Sequence, residues 1–248
     1  MNIELKANER IDDLEYNDLR IIQNKNGFCF GIDSILLTDF AKNIKSGSTV
    51  LDLGTGTGII PILLSAKTNA KSFVGIEIQD EVAKMAGRSV RLNSLDNKIK
   101  IINDNIKNYK NLFSRSSFDV VITNPPYKKA KTGLVSENNM QLISRHEISA
   151  TLEDFIEISS YLLKDFGEFY MIHRPERLVD IFSIMRDKKI EPKRIRFICP
   201  NSNKKANMVL IKGVKLGKQF LVVDEDLIIY KEDGKYTDEV LKIYSKWE

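Results

Sequence analysis

Three glycines at alternate positions, Gly54, Gly56 and Gly58, separate a short apolar run from a segment with helical periodicity. Residues 50–53 before them are predicted as a strand, and residues 59–64 after them as the start of a helix. Glycines between a strand and a helix permit a tight turn and let the backbone approach a ligand closely. This feature constrains the fold most, because it predicts a βα unit of a largely parallel sheet.

The same turn indicates what kind of ligand it binds. Its G-x-G-x-G spacing differs from the G-x-G-x-x-G of dinucleotide sites. Asp52 lies at the end of the strand, where its carboxylate would repel a pyrophosphate approaching the helix N-terminus. A carboxylate there would attract a cation instead. We therefore expect S-adenosylmethionine, which carries a sulfonium and an α-ammonium group and no phosphate.

Two further acidic residues follow predicted strands. Glu77 ends the apolar run 73–77, nineteen residues after Gly58, which suits a carboxylate that accepts hydrogen bonds from ribose hydroxyls. Asp104 follows the run 99–102 and could accept from an adenine amino group. The alternatives are a surface glutamate at a strand end and a solvated loop carboxylate.

The tetrapeptide Asn124-Pro125-Pro126-Tyr127 directly follows the apolar run 118–123, which is predicted to be a buried parallel strand. Open α/β sheets bind ligands outside the carboxyl ends of their strands. The prolines lack N–H groups, so the Asn124 side-chain oxygen and the Pro125 carbonyl could each accept one hydrogen of an exocyclic amino group. Tyr127 offers a face on which a planar base could stack. An Asn-Pro turn followed by a core tyrosine is the alternative.

Together, these motifs resemble the class I S-adenosylmethionine-dependent methyltransferases that modify exocyclic or amide nitrogens. The resemblance runs from about residue 27 to residue 213. Three further stretches narrow this resemblance to one family: residues 27–37, the triplet Arg145-His146-Glu147 and the basic segment near Arg194. With them, the chain resembles the tRNA (adenine-N6)-methyltransferase family that modifies adenosine 37, beside the anticodon of a valine tRNA.

The resemblance implies a fold and a set of site residues. The fold would be α/β, with a Rossmann-like, doubly wound, seven-stranded mixed sheet in a three-layer α/β/α arrangement. The implied catalytic residues are Asn124, Pro125, Pro126 and Tyr127. The implied cofactor-binding residues are Gly31, Asp33, Asp52, Gly54, Thr55, Gly56, Gly58, Glu77, Ile78, Asp104, Asn105 and Asn124. Methyl transfer would be direct, and it would need no metal.

The distribution of charge suggests a polyanionic partner, here a tRNA substrate. The chain has a net charge of +4, but residues 164–218 contain 14 Lys and Arg against six Asp and Glu. Phosphate contacts would position the RNA while the pocket selects the base. The expected RNA-binding residues are Lys128, Lys129, Lys131, Arg145, Lys204 and Lys205. Solvated loop side chains are the alternative.

Length and composition predict one methyltransferase domain over residues 1–248, with an N-terminal hairpin and helix extension over about 1–45 and a basic part over about 164–218. The two cysteines, Cys29 and Cys199, do not form a disulfide framework, and neither a secretory nor a membrane-spanning segment is evident. We expect a cytoplasmic protein with no metal, no membrane association and no obligate protein partner.

Local patterns predict several further elements. Residues 19–23 should pair with residues 28–30 in a hairpin, and Asp33 and Ser34 should cap a helix that runs through Ala41. Thr151 should open a helix with a capping box. Strands are expected near 167–172, 194–199 and 208–212, the last two antiparallel, and an edge strand within 224–230. Residues 128–149 are interpreted as a substrate-facing lid.

Three rival functions remain open. Methyltransferases of guanine N2 and of release-factor glutamine use the same tetrapeptide, since a base amino group and an amide present similar donors. The glutamine enzymes usually carry a helical N-terminal domain, whereas about 45 residues precede the first strand of the predicted βα series. A non-catalytic RNA-binding protein on the same fold is the rival of another class.

Overall fold

The computed structural model of the protein describes residues 4–25, 31–127 and 150–244. The strands are β1 (Glu9–Asp13), β2 (Arg20–Asn24), β3 (Thr49–Leu53), β4 (Ser72–Glu77), β5 (Ile99–Asn103), β6 (Phe118–Thr123), β7 (Leu163–His173), β8 (Ile190–Cys199), β9 (Met208–Lys215), β10 (Val222–Val223) and β11 (Leu227–Ile228). The α-helices are α1 (Ile32–Phe40), α2 (Ile59–Lys67), α3 (Asp80–Leu92), α4 (Tyr109–Leu112), α5 (Leu152–Leu162), α6 (Leu178–Asp187) and α7 (Asp238–Ile243). Short 3-10 helices cover Ile106–Asn108 and Pro175–Arg177.

Nine of these strands form the main sheet, in the order β10-β8-β9-β7-β6-β3-β4-β5, with β11 also paired to β8. Within the described part of the chain, β9 is the strand that runs antiparallel to its neighbours, β7 and β8. Seven of the nine strands have five or more residues, and they correspond to the predicted seven-stranded mixed sheet. The other two, β10 and β11, have two residues each and lie beside β8.

The central strands are mostly apolar because helices cover both faces of the sheet. Leu51 and Val121 are fully buried, as expected for parallel strands sandwiched between helices. One apolar cluster packs α1, α2 and α7 against the sheet, and the other packs α5 and α6 against the opposite face. This is the predicted three-layer α/β/α arrangement.

Several local predictions are confirmed. Thr151 caps α5 in a capping box, in which its side chain accepts from the Asp154 backbone N–H while the Asp154 carboxylate accepts from the Thr151 backbone N–H. Strands β8 and β9 pair antiparallel, and Leu227–Ile228 lies within the segment predicted to hold an edge strand. The predicted lid, residues 128–149, lies outside the described residues.

Of two predictions about the N-terminal part, one was wrong and the other falls outside the described residues. Strand β2 pairs with β1, and residues 28–30, the predicted partner of residues 19–23, lie outside the described part of the chain. The N-cap of α1 is Gly31, without a side-chain cap, so Asp33 and Ser34 lie in the first turn of the helix. Their side chains are therefore available for contacts with another element.

Candidate functional site

The predicted site residues follow neighbouring parallel strands, so the sheet brings them to one edge. Strands β3, β4, β5, β6 and β7 are parallel, and we call the edge formed by their last residues the carboxyl edge. The glycine turn follows β3, Glu77 ends β4 and Asp104 follows β5. Asn124 follows β6, next to the end of β7 at His173. Ligands of open α/β sheets bind at this edge.

The backbone of the glycine turn adopts a left-handed conformation that residues with a Cβ atom rarely adopt. The φ angles of Gly54, Gly56 and Gly58 are +75°, +57° and +85°, and Gly58 is the N-cap of α2. The backbone N–H groups of Gly54 and Thr55 both donate to the Ile76 carbonyl, at 3.0 and 2.9 Å. These bonds anchor the turn to the end of β4.

Glu77 supports this turn directly. One oxygen of its buried carboxylate accepts from the Gly56 backbone N–H at 3.0 Å, and the other accepts from the Gln79 backbone N–H at 2.9 Å. A carboxylate has about four acceptor positions, so two remain for a ligand. Glu77 thus couples the glycine turn to any group that binds at the end of β4.

Asp52 precedes the turn and Thr55 lies within it, and both have unused polar atoms. Both carboxylate oxygens of Asp52 and the Thr55 hydroxyl are buried and lack a hydrogen-bond partner among the described residues. Burial raises the pKa of Asp52 to about 7, and the charge of Glu77 acts in the same direction while the nearby Thr55 hydroxyl opposes the rise. A Cβ atom on Gly75 would lie only 2.7 Å from the Thr55 hydroxyl oxygen, so this glycine leaves room for the threonine.

The residues after β5 have mainly local partners. Asp104 accepts from the Asn105 backbone N–H at 2.7 Å and from the Asn108 side-chain amide at 2.6 Å. Asn105 accepts from the Lys107 backbone N–H at 2.9 Å and so caps the 3-10 helix. Ile78 is 37% exposed beside them. Asn103, which the sequence analysis missed, donates to the Glu77 carbonyl at 2.9 Å and fixes the end of β4.

The tetrapeptide is held by the first turn of α1. The Asn124 side-chain amide donates to the Ser34 hydroxyl at 3.1 Å, and the Tyr127 hydroxyl lies 2.9 Å from the Asp33 carboxylate. The Tyr127 hydroxyl also contacts the Asn124 side-chain oxygen. Pro125 is buried and Pro126 is exposed. Ser34 was not predicted as a site residue, although its neighbour Asp33 was.

The Tyr127 ring is enclosed by residues that end β7. The His173 ring meets it edge-on with centroids 5.3 Å apart, and the Arg174 guanidinium lies 5.3 Å from its centroid. Burial and the Asp33 carboxylate raise the pKa of Tyr127 well above its usual value. Burial, reinforced by the positive charges of Arg177 and Arg174, lowers the pKa of His173 to about 4. At neutral pH both rings are therefore uncharged.

His173 and Arg174 were also missed by the sequence analysis. The signal that could have found them is their position at the end of a predicted parallel strand, the same rule that identified Asn124 and Glu77. The His173 Nδ1 atom accepts from the Arg174 backbone N–H at 2.8 Å, and the Arg174 guanidinium donates to the Asn207 carbonyl at 3.0 Å. Arg174 thus connects Tyr127 to the start of β9.

Many side chains of the basic segment pair with carboxylates, several of them distant in sequence. Examples are Lys164 with Asp119 at 2.7 Å, Arg194 with Asp224 at 2.7 Å, Arg196 with Glu239 at 2.7 Å and Lys212 with Glu168 at 2.5 Å. Carboxylates outside residues 164–218, such as Asp119, Asp224 and Glu239, therefore offset part of the excess of eight positive charges counted along this segment.

Two of the predicted RNA-binding residues lie within the described structure. Lys204 and Lys205 are exposed in the loop between β8 and β9, and within the described ranges neither forms an ion pair. Because β8 is antiparallel to β9, which is antiparallel to β7, this loop is at the carboxyl edge. Lys128, Lys129, Lys131 and Arg145 lie outside the described residues.

Among residues 4–25, 31–127 and 150–244, no group of three or more His, Cys, Asp or Glu side chains is arranged to hold a metal ion. In the same ranges, no helix combines the length and the apolar character needed to cross a membrane.

Curated relatives resemble the chain over most of its length. A tRNA1(Val) (adenine(37)-N6)-methyltransferase from Bacteroides fragilis is 21% identical over 231 residues, which are 92% of this chain and 94% of the relative. The protein of the same name from Porphyromonas gingivalis is 26% identical over 220 residues, 86% of each chain.

Solved structures show the same fold. A predicted O-methyltransferase from Agrobacterium tumefaciens superposes with a TM-score of 0.67 at 20% identity, covering 86% of this chain and 95% of that one. A 16S rRNA N2 methyltransferase from T. thermophilus, in complex with AdoMet and guanosine, superposes with a TM-score of 0.60 at 16% identity, covering 86% of this chain and 52% of that one.

The family comparison covers the described site. Residues 31–180 match the family described as Methyltransferase small domain, and this segment begins just before α1 and ends within α6. It contains the glycine turn, Glu77 and the tetrapeptide. Because the match spans more than half of the 248 residues, this chain belongs to the methyltransferase small domain family.

Proposed function

We propose that this protein transfers a methyl group from S-adenosylmethionine to the exocyclic N6 of an adenosine in tRNA, namely adenosine 37 of a valine tRNA. The observation that carries the proposal is the position of Asn124. Its side chain is held by Ser34 and Tyr127 at the carboxyl edge, one strand away from the glycine turn. The names of the curated relatives support the choice of tRNA adenine.

The residues around the glycine turn fit this cofactor. Burying a carboxylate without a partner is unfavourable, and Asp52 has two unpartnered oxygens near the turn, where a cationic ligand would compensate. Glu77 keeps acceptor positions for the ribose, and exposed Ile78 offers an apolar surface for the adenine. Gly31, Asp33, Asp104 and Asn105 are the further proposed contacts. S-adenosylmethionine, when bound, supplies an electrophilic methyl group on its sulfonium.

In the proposed mechanism the protein positions the acceptor nitrogen. The Asn124 side-chain oxygen and the Pro125 carbonyl accept the two amino hydrogens, so that the nitrogen lone pair points at the methyl carbon. Such positioning removes much of the entropic cost of bringing two reactants together. With the donor bound, the nitrogen–carbon bond would form as the sulfur–carbon bond of the methyl group breaks, and the methylated nitrogen would then lose its extra proton to water.

The protonation states support a mechanism without a tyrosinate or histidine base. Tyr127 keeps its proton because its pKa is raised, and its hydroxyl donates to the Asp33 carboxylate while it also contacts the Asn124 side-chain oxygen. His173 is buried, and its Nδ1 atom already accepts a hydrogen bond. In the proposal the target base stacks on the half-buried Tyr127 ring. Extrusion of a base from a single-stranded loop costs little.

Guanine N2 is the second candidate substrate. Acceptors at Asn124 and Pro125 suit any amino group, and a solved structure with the same fold contains guanosine. Discrimination must come from groups that meet the ring nitrogens beside the amino group. Release-factor glutamine is less favoured, because Tyr127 suits a flat base.

The test is to identify the methylated nucleoside. Unmodified valine tRNA is incubated with the protein and methyl-labelled S-adenosylmethionine, digested and separated, with release factor as a parallel substrate. N6-methyladenosine is the expected product, and it should disappear when adenosine 37 is replaced by guanosine. Label in N2-methylguanosine or in glutamine would refute the substrate assignment, and cofactor binding without transfer to any RNA would support the non-catalytic rival.

A further inference from the structure

A cavity opens at the carboxyl edge, away from the tetrapeptide. It has a volume of about 480 Å³ and lies between residues 201–203, which follow β8, and residues 230–234, which follow β11. Strands β9 and β7 separate β8 from β6, so the cavity is about 14 Å along the sheet from Asn124, at three strand spacings. No residue of this cavity belongs to the cofactor site described above.

One wall of the cavity carries an aromatic stack. The Tyr230 ring stacks on the Tyr236 ring with centroids 5.3 Å apart and planes 15° apart, and Tyr236 stacks on Tyr244 at 5.7 Å and 19°. Tyr230 is the outermost ring, and it is 41% exposed where it lines the cavity. A planar group could add to this stack, because base–aromatic stacking tolerates any base.

Both walls are formed by turns with internal hydrogen bonds. On the first wall, the Asn201 side chain accepts from the Asn203 backbone N–H at 3.1 Å. On the other wall, the Lys231 backbone N–H donates to the Lys235 carbonyl at 2.8 Å. The Tyr230 backbone N–H donates to the Pro200 carbonyl at 2.9 Å and so joins the two walls. Walls that are already ordered lower the entropic cost of binding.

The charges around the cavity distinguish a base from a phosphate. Glu232 lines the cavity, and Lys231 beside it pairs with Asp238, so the interior does not favour an anion. Lys204 and Lys205 follow the first wall directly and form no ion pair within the described residues. Asn and Glu side chains can form hydrogen bonds with the edge of a base, so the interior of the cavity suits a base. The lysines outside the cavity suit the phosphates on either side of that base, as in one nucleotide of a polynucleotide.

We infer that this cavity binds one unpaired base of the RNA substrate by stacking on Tyr230, while Lys204 and Lys205 contact the adjoining phosphates. The inference deepens the proposed function, since it assigns a second RNA contact distant from the methylated nucleotide. The ligand of the cavity is thus one nucleotide in a single-stranded segment next to the target loop.

The experiment compares Tyr230→Ala with Tyr230→Phe, which keeps the ring. Phe166→Ala is the matched control, because Phe166 is 72% exposed near the start of β7, at the opposite edge of the sheet. Fluorescence anisotropy measures the affinity for unmodified tRNA and for a single-stranded RNA oligonucleotide. Titration calorimetry measures S-adenosylmethionine binding, which none of the three variants should change.

Tyr230→Ala is expected to weaken RNA binding by roughly five- to 150-fold, the usual effect of removing one base-stacking ring. Tyr230→Phe and Phe166→Ala should bind RNA with nearly the affinity of the unchanged protein. Equal RNA affinity in Tyr230→Ala would overturn the inference. Photocrosslinking of the unchanged protein to 4-thiouridine RNA provides a test that needs no variant. A cross-linked peptide containing Tyr230 is expected, and its absence beside cross-links elsewhere would contradict the assignment.

These outcomes separate the inference from the proposed function. If the unchanged protein makes N6-methyladenosine and Tyr230→Ala binds RNA equally well, only the cavity assignment is wrong. If the unchanged protein methylates no tRNA and yet loses RNA affinity with Tyr230→Ala, the cavity assignment stands and the proposed reaction is wrong.

Discussion

The side-chain amide of Asn124 donates a hydrogen bond to the Ser34 hydroxyl at 3.1 Å, which joins the end of β6 to the first turn of α1. The other end of the amide contacts the Tyr127 hydroxyl. Both ends of the planar group are therefore fixed before a substrate arrives, and the second acceptor position of the oxygen remains for the substrate.

Ser34→Ala should lower kcat roughly two- to tenfold, because it removes one neutral hydrogen bond that orients Asn124. Ser34→Thr keeps a hydroxyl and should restore most of the rate. The matched control is Ser65→Ala, since Ser65 is also a buried helical serine, but its hydroxyl bonds only to the Ile62 carbonyl. Steady-state kinetics would contradict the role of Ser34 if KM for the cofactor rose while kcat stayed constant.

Asn124→Ala should reduce turnover about a hundredfold or more, as for the loss of one preorganised polar group, and leave cofactor affinity within a few-fold. Single-turnover methylation of tRNA measures the first effect and titration calorimetry the second. Turnover close to that of the unchanged protein would remove Asn124 from the mechanism.

Glu77→Ala should weaken S-adenosylmethionine binding by roughly 1.5–3 kcal/mol, because charge-assisted hydrogen bonds to the ribose are removed. The variant also frees the Gly56 backbone N–H, so the glycine turn loses a support. Glu77→Gln, which keeps a neutral acceptor, should show a smaller loss. Calorimetry that finds unchanged cofactor affinity in Glu77→Ala would exclude the ribose contact, and RNA binding should hardly change in either variant.

The carboxyl group of Asp52 should make stability depend on pH. Its pKa is about 7 in the folded protein, above the usual value of 3.8, so the folded state retains a proton that the unfolded state releases. Without cofactor, its contribution therefore falls as pH rises from about 4 to about 7. Asp52→Asn should gain stability over the unchanged protein between pH 5 and pH 8, by on the order of a few kcal/mol. Denaturant unfolding at several pH values would disprove this by showing a constant difference.

Replacing Lys204 and Lys205 with alanine should weaken the binding of cognate and non-cognate tRNA alike. The slope of log affinity against log salt should flatten by about 0.7 for each phosphate of a single strand that the lysines no longer neutralise. Lys45→Ala with Lys71→Ala is the control, because these exposed lysines precede β3 and β4 at the opposite edge. An identical salt slope in the Lys204 and Lys205 variant would mean that both side chains are only solvated. The same change in salt slope is expected when Lys128, Lys129 and Lys131, which lie outside the described residues, are replaced with alanine.

Short-range patterns were sufficient to predict several local elements. The glycine turn, the strand ending in Glu77 and the capping box at Thr151 each depend on residues within a few positions of one another. The contact between Ser34 and Asn124 spans ninety residues, so no local pattern contains it. Because Asp33 and Ser34 are common capping residues, the sequence suggested a cap where the structure has tertiary hydrogen bonds.

Other features of the structure also lack a local pattern in the sequence that could predict them. Strand β1 contains four charged residues and one apolar residue, so it shows little of the alternation that predicts a strand. Strands β10 and β11 are two residues long and gain their register only from β8. Asp224 and Glu239, which neutralise Arg194 and Arg196, lie outside the segment in which the charges were counted.

Strand β9 runs antiparallel to its neighbours, so β8 and β9 are joined by a loop at the carboxyl edge instead of by a helix that crosses the sheet. In our proposals, the part of the sheet that holds the methyl donor, β3 to β5, is separate from the part that carries the RNA-facing loops, β7 to β11. The two parts could therefore be exchanged independently. Replacing residues 201–207 and 230–236 with those of a relative would change the proposed RNA-facing surface and leave every residue of the glycine turn in place. Directed evolution of substrate range in this protein should therefore begin with those two loops.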